Sequence, residues 1–503
     1  MRYNDLELDV AAYDYMTAGC SNYQCKRQNM SLPCIKTLKK HISSHTEDTR
    51  EGILMIAPLV KYLKAHDYPM RVVLSEDGTP VSPNPEYDCK TDSIRGLVAP
   101  LNENGMPKQD LFIASSVAKL INDLDTYTVG EYLYTILATP LVPKASPFCI
   151  FYMCTDNKFT HEDVLRRWRY IETQLANAGI TVVANASDGD PRLLTAMKCR
   201  TGLPREAPCK VYGPHFVAEL GDDALCIQDS IHLINKLRHS LLDPKKHMYL
   251  GNFTIASSLL KQMMDYGDKS VHKLNPSDLN PLDKMKFDPS IKLMSSELIE
   301  HLGEVVPGSN GTVAYLKVMR LIYQAFIEEN IPPKTRITAI WTALFFIRAW
   351  RSISLKNTKN IKQCPTSNVY WSLELNAHAL IQFVIVCREN HHPEQFNVPI
   401  LSSQPCETCF RELRSMTTLN HTAINFTIKD VEQRMQKVQM KLLIMYRRKN
   451  LLHFPTLRKQ DQKASETIIY DLPTDDEICR AILDAEIDAT ELLISVGCIK
   501  DEI

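Results

Sequence analysis

A mixed α/β fold, with a mixed sheet flanked by helices and interrupted by a large all-α insertion, is predicted by three features of the sequence. Between residues 69 and 240, short β-branched and aromatic runs such as MRVVLSED, SPFCIFYMCTD and ITVVANASD alternate with amphipathic stretches. Residues 241–400 carry almost only helical periodicity. After them the chain returns with SQPCETCFRELRSM, a further helix that can be brought back over the sheet.

The bulk numbers suit such a protein. The 503 residues are 44% hydrophobic and 23% charged, ordinary for a chain that buries a real core. Net charge is -1, so any nucleic-acid contact has to use a local basic surface. The 15 cysteines are scattered, and the acidic start MRYNDLELDV lacks an apolar leader segment, so we read reduced thiols in an intracellular protein. The apolar run ITAIWTALFFI, residues 337–347, is too short to span a bilayer and reads as a buried helix; no membrane contact is expected.

Residues 1–68 read as a helical N-terminal module. LPCIKTLKKHISSH and REGILMIAPLVKYLKAH place apolar residues three and four apart. Cys20, Cys25, His41 and His45 fall within loose zinc-finger spacing, but the aromatic and leucine pattern of a small finger is missing, and plain helices are the preferred reading. Residues 69–244 follow as the first part of the sheet domain. MRVVLSED is its first strand, EYDCKTDSIRGLVAPL a hairpin turning at KTD, and SPFCIFYMCTD the next strand. HEDVLRRWRYIETQLANAG is a helix stopped by Gly179. ITVVANASD is then a strand, placed parallel to SPFCIFYMCTD across this one helical crossover. A helix opens at Pro191, and ALCIQD and IHLINKLRHSLL complete the alternation. Residues 245–400 are the helical insertion, 401–445 the returning helix region, and 446–503 a basic stretch followed by an acidic tail expected to fold back as helices or to mask the basic run.

Three predicted strands carry aspartate at or near their ends: Asp77, Asp188 and Asp229. Each is individually explicable as a helix cap or turn former, and Asp190 suits the start of the helix at Pro191. Taken together with Glu407 at the opening of the returning helix, they also suit metal-ion catalysis of phosphoryl transfer. There, two ions clamp the attacking and leaving oxygens. Hard Mg²⁺ takes oxygen ligands, usually one or two carboxylates plus water and substrate phosphate.

Four passages carry a family resemblance: LSEDGTP with PEYDCKTDSIRGLVAPLNENGMP, ANASDGDPRLLTAMK, IQDSIHLINKLRHSLL, and SQPCETCFRELRSMTT. In this order the sequence resembles an RNase H-like, DDE-type DNA transposase, of the group related to the P element and the THAP-domain transposases. The resemblance implies an RNase H-like sheet and a metal-binding catalytic triad of Asp77, Asp188 and Glu407. It implies Mg²⁺ or Mn²⁺ as cofactor, DNA as partner (transposon ends and target), and self-association. The implied activity is metal-dependent DNA cleavage and strand transfer in the nucleus. The alternatives are a domesticated relative that binds DNA or protein without cutting, and a helical scaffold whose aspartates are only caps. The chain departs from the family where SQPCE lacks the acid that precedes the glutamate, and where the lysine of DSIHLINKLR is shifted by one. His232 and Lys236 in that block are candidates for steering phosphate. The family's insertion binds GTP; no G-x-x-x-x-G-K-[ST] loop is present here, so GTP is implied by the resemblance only. The zinc-coordinating N-terminal module of the group is not recognisable.

Lys429–Lys463 contains ten Lys and Arg against three acids, and Arg447, Arg448 and Lys449 are its candidate DNA contacts; RRK also resembles a weak nuclear-import signal. CETC, residues 406–409, lacks a second cysteine pair and is a weak zinc candidate. Glu374 and His378, one helical turn apart, are read as a satisfied polar pair within helices.

Overall fold

The structure, a computed structural model, describes residues 3–143, 145–203, 224–280, 282, 286–357, 363–416, 425–454 and 468–498. In chain order the first elements are α1 (Asp5–Asn29), α2 (Ile35–His45), α3 (Ile56–Ala65), β1 (Arg71–Pro80), β2 (Glu86–Asp88), β3 (Ser93–Arg95) and α4 (Val117–Thr126). There follow β4 (Tyr132–Pro140), β5 (Phe148–Thr155), α5 (His161–Asn177), β6 (Thr181–Ser187), α6 (Pro191–Thr201), β7 (Leu225–Gln228) and α7 (Ser230–Leu242). Next are β8 (Met248–Leu250), β9 (Phe253–Ile255), α8 (Ser257–Tyr266), α9 (Lys269–His272), α10 (Asp288–Leu293), α11 (Ser296–Val305) and α12 (Asn310–Phe326). The last are α13 (Pro333–Asn357), α14 (Ser367–Glu389), α15 (Gln404–Ser415), α16 (Ile428–Arg448) and α17 (Asp475–Ser495).

The main sheet has the strand order β5-β4-β1-β6-β7. β4 is antiparallel to both β1 and β5, and β6 is parallel to β1, so the sheet is mixed as expected. Two details correct the sequence reading. The strand YLYTILATP, now β4, was missed; it is buried from Leu133 onward on both faces, so it lacks the alternation that marks a half-buried strand. It lies between β5 and β1, so β5 and β6 run in the same direction without being neighbours. The hairpin is as read: β2 pairs with β3, and the Asp88 carboxylate accepts hydrogen bonds from the amide and hydroxyl of Thr91 across the turn.

The chain divides into two compact units, Met1–Ser187 with Ser403–Thr467, and Asp188–Ser402 with Ile468–Ile503. In the first, α5 is opened by a Thr160–Asp163 capping box and followed by Gly179 at φ 77°, and it packs on β6. α15 and α16 join Leu133, Leu137, Cys149 and Tyr152 of the sheet in one apolar core through Cys406, Phe410 and Val438. Residues 1–68, set apart in the sequence reading, share this unit. Asp9 of α1 is fully buried and receives His41 Nε2 at 3.0 Å, Arg448 Nε at 2.7 Å and the Arg447 guanidinium. Burial alone would raise the Asp9 carboxyl, but these donors outweigh it and hold it at about 2.

Glu51 in the same unit is perturbed the other way. It is pushed up to about 7 by burial and by the neighbouring Glu432, against the opposing Cys154 amide hydrogen bond and Arg95 charge. Its folded-state value lies above its unfolded one, so its contribution is fully present below about pH 4.5 and is lost as pH rises through 7. Glu51→Gln, neutral throughout, should remove roughly 2–3 kcal/mol of this pH dependence, read from the opening free energies of β5 amides by hydrogen exchange at pH 5 and pH 8, each corrected for the intrinsic rate. An unchanged difference between the two pH values would refute the assignment.

The second unit is chiefly helical. α14 is long and apolar enough to cross a membrane by composition, yet 78% of its most apolar window is buried within the fold. Its Glu374 pairs with Arg348 of α13 at 2.6 Å, and His378 Nδ1 donates to the Glu374 carbonyl at 2.6 Å; this is the satisfied polar pair read from the sequence. Asn376 of α14 both donates to and accepts from the Gln228 backbone of β7, at 2.8 Å each, which occupies that strand's polar groups. The hairpin β8–β9 is a further correction to a stretch read as helical. The acidic tail folds back as α17, which packs on α13.

Candidate active site carboxylates

In the first unit, β1 and α15 carry two of the predicted carboxylates. Asp77 lies inside β1 rather than at its end, because β4 continues to pair with β1 as far as Pro80. Ser75, Asp77 and Thr79 alternate onto one face of the strand. α15 lies on β1: the Cys406 thiol donates to the Ser75 carbonyl at 3.2 Å, and the Arg414 guanidinium donates to the Thr79 hydroxyl. Asp77 is therefore on the covered face, between two anchoring points of α15. Glu407 is seven residues from Arg414, two helical turns, and shares its stripe. Glu407 is half-buried, whereas Cys406 and Cys409 turn into the core. Burial, with the charges of Asp77 and Glu76 among others, pushes the Cys406 thiol well above its ordinary range, so this C-x-x-C is apolar packing and not a thiolate pair.

The site is braced on both sides. The buried Lys441–Glu412 ion pair, 2.5 Å, fixes α15 to α16. Behind Asp77, the buried Glu76 carboxylate accepts from Tyr134, whose ring lies 4.7 Å from the Arg167 guanidinium. The Arg167 Nε donates to the Gly105 carbonyl at 2.9 Å. Sequence alone points to Asp77 and carries no signal for Glu76 or for this network, which joins residues far apart in the chain.

In the second unit, Asp188 follows directly on Ser187, whose partner in the sheet is Glu76. Asp188 Oδ1 accepts the Asp190 amide at 3.0 Å, closing a tight turn around Gly189. Asp190 is the N-cap of α6, as predicted, and pairs with Arg192 at 2.6 Å. Asp229 is the N-cap of α7. Burial would raise its carboxyl, but the hydrogen bond and charge of His232 and the Ser402 hydroxyl outweigh this and hold it far down. The His232 ring nitrogen Nδ1 lies 3.5 Å from Asp229 Oδ1, within ion-pair distance. Lys236 is half-buried and donates to the Gly189 carbonyl at 3.2 Å and to Asn368 Oδ1 at 3.3 Å.

Of the predicted basic contacts, Arg447 and Arg448 engage the buried Asp9, and Lys449 stands at the end of α16 with its ammonium 5.8 Å from the Tyr446 ring centroid. The later part of the basic run, residues 455–467, lies outside the described residues. His41 and His45 are held by Asp9 and by the His41 carbonyl, while Cys20 and Cys25 are exposed on α1, in keeping with plain helices.

No protein-family model and no curated protein matches the sequence. Among solved structures, the Drosophila P element transposase strand transfer complex is similar, with a TM-score of 0.59 and 16% identity over 89% of this chain and 92% of that one. The chain has a transposase-like fold of the RNase H type. The mixed sheet and the helical region predicted from sequence are those of this fold.

The three carboxylates offer a hard divalent ion only oxygen, the donor type that Mg²⁺ or Mn²⁺ takes. Among the described residues, no three or more His, Cys, Asp or Glu side chains are drawn together as a ready-made metal cage. Mg²⁺ does not require one, because water and substrate phosphate complete its shell.

Proposed function

We propose that this chain is a transposase-like protein that cleaves DNA and transfers strands by metal-dependent phosphoryl transfer, with Asp77, Asp188 and Glu407 as the metal-holding residues. The reading is supported above all by the return of α15 onto β1, which sets the Glu407 stripe over the strand face that carries Asp77. A bound Mg²⁺ or Mn²⁺ would activate the attacking hydroxyl and neutralise charge on the leaving oxygen. The chain's own part is positioning. Pairing of β1 with β4 through Asp77, and with β6 up to Glu76, fixes the strand that carries Asp77, the ion pair between α15 and α16 fixes the helix that carries Glu407, and the turn at Gly189 fixes Asp188.

DNA is the proposed partner, with Lys449 and neighbouring basic residues on its phosphates, together with a nuclear location and the self-association that the family resemblance implies. The test is cleavage and joining of labelled duplex DNA by the full chain in Mn²⁺ and in Mg²⁺, alongside DNA affinity at several salt concentrations. Metal-dependent products together with salt-sensitive binding support the proposal. A second reading, DNA binding without cleavage, is favoured by the departure at SQPCE, where the acid that precedes the family's glutamate is replaced by Cys406. It predicts salt-sensitive binding with no product in either metal.

A further inference from the structure

We infer that Lys236 and Asn368 are positioning residues that lock the turn Asp188–Gly189–Asp190, and with it the direction of the Asp188 carboxylate; this rests on the role proposed for Asp188. The sequence offered Lys236 only as a phosphate contact, and Asn368 carried no signal at all. The two side chains meet at one backbone atom. The Gly189 carbonyl accepts from Lys236 Nζ at 3.2 Å and from Asn368 Nδ2 at 2.9 Å, while Asn368 Oδ1 accepts from Lys236 Nζ at 3.3 Å. The triangle fixes the orientation of the amide, because a flipped Asn368 would turn its NH₂ toward the ammonium.

Glycine at 189 leaves room for this contact: a methyl group there would lie 1.6 Å from Lys236 Nζ and 3.1 Å from Asn368 Oδ1, and would displace the ammonium. The turn is held from its other side as well, by the Asp190 amide on Asp188 Oδ1 and by the Asp190 carboxylate on the first amides of α6. Asn368 lies in the first turn of α14, so the clamp joins the helical insertion to the backbone beside a catalytic carboxylate. Burial pulls the Lys236 ammonium down while Asp188, Asp190 and Asp229 draw it up, so its charge faces the same acids it positions.

A residue that positions Asp188 affects metal use, whereas a phosphate contact affects DNA affinity. The test uses Asn368→Ala, Lys236→Met, which keeps the buried stem, and Lys236→Arg in the full chain. Three quantities are read: amide exchange of Gly189, Asp190, Arg192 and Leu193, the Mn²⁺ concentration giving half-maximal cleavage, and the Kd for duplex DNA. Expected are faster exchange in the turn and a metal requirement raised about tenfold, the range typical of residues that orient metal ligands. The DNA Kd should stay within about twofold, and Lys236→Arg should recover part of the loss. Unchanged exchange in Asn368→Ala and Lys236→Met overturns the clamp. So does weakened DNA binding with an unchanged metal requirement. If the wild type does not cleave, the proposed function fails by itself, and the exchange measurement alone then decides whether the turn is locked.

Discussion

Asp77→Asn and Glu407→Gln are each expected to lower metal-dependent DNA cleavage by ~10²–10³-fold, about 3–4 kcal/mol of lost transition-state stabilisation, with little change in DNA affinity. Both substitutions keep shape and hydrogen-bonding capacity while removing the charge that would hold a divalent ion. Asp77 is buried within a strand paired on both sides, and Glu407 is half-buried in the first turn of α15, so neither change disturbs a helix cap. Single-turnover cleavage at saturating DNA separates the effect from binding. Cleavage that persists at the wild-type rate in Asp77→Asn would remove this residue from the site. Loss of DNA affinity in parallel with rate would point to a charge effect on the complex instead.

Lys441→Met should destabilise the α15–α16 layer by about 3 kcal/mol, because it leaves the fully buried Glu412 carboxylate with only the more distant Arg411, at 3.6 Å, and the Ser415 hydroxyl. In a chain of two compact units a global midpoint mixes several transitions, so amide exchange within α15 is the suitable measurement. Adding Glu412→Gln should return much of the loss, since the stranded charge is then gone. Cleavage should fall in the single variant although Lys441 touches no reacting atom, because α15 carries Glu407. Exchange in α15 that matches the wild type would show that the ion pair contributes nothing to holding the helix.

Much of the architecture was legible because periodicity follows burial. HEDVLRRWRYIETQLANAG and ITVVANASD each show one exposed and one buried face, or a clear start and stop, and both elements lie where expected. YLYTILATP was missed for the opposite reason: a central strand covered on both faces has no polar alternation to betray it. Asp190 was recognisable as a cap from the proline after it, and the structure places it at the N-cap of α6. The basic run showed its charge but not its partners, and Asp9, more than four hundred residues away, engages two of its arginines.

By itself the sequence determined the type of fold, most of its helices and half-buried strands, and the carboxylates worth testing, because these depend on local propensity and on the spacing of apolar and acidic residues. Tertiary structure alone decided that α15 lies on the Asp77 face of β1, that Glu412 and Lys441 are buried together, and that Lys236 and Asn368 close on Gly189. Each of these joins residues brought together by packing, where hydrogen bonds and ion pairs form between groups that no local pattern relates.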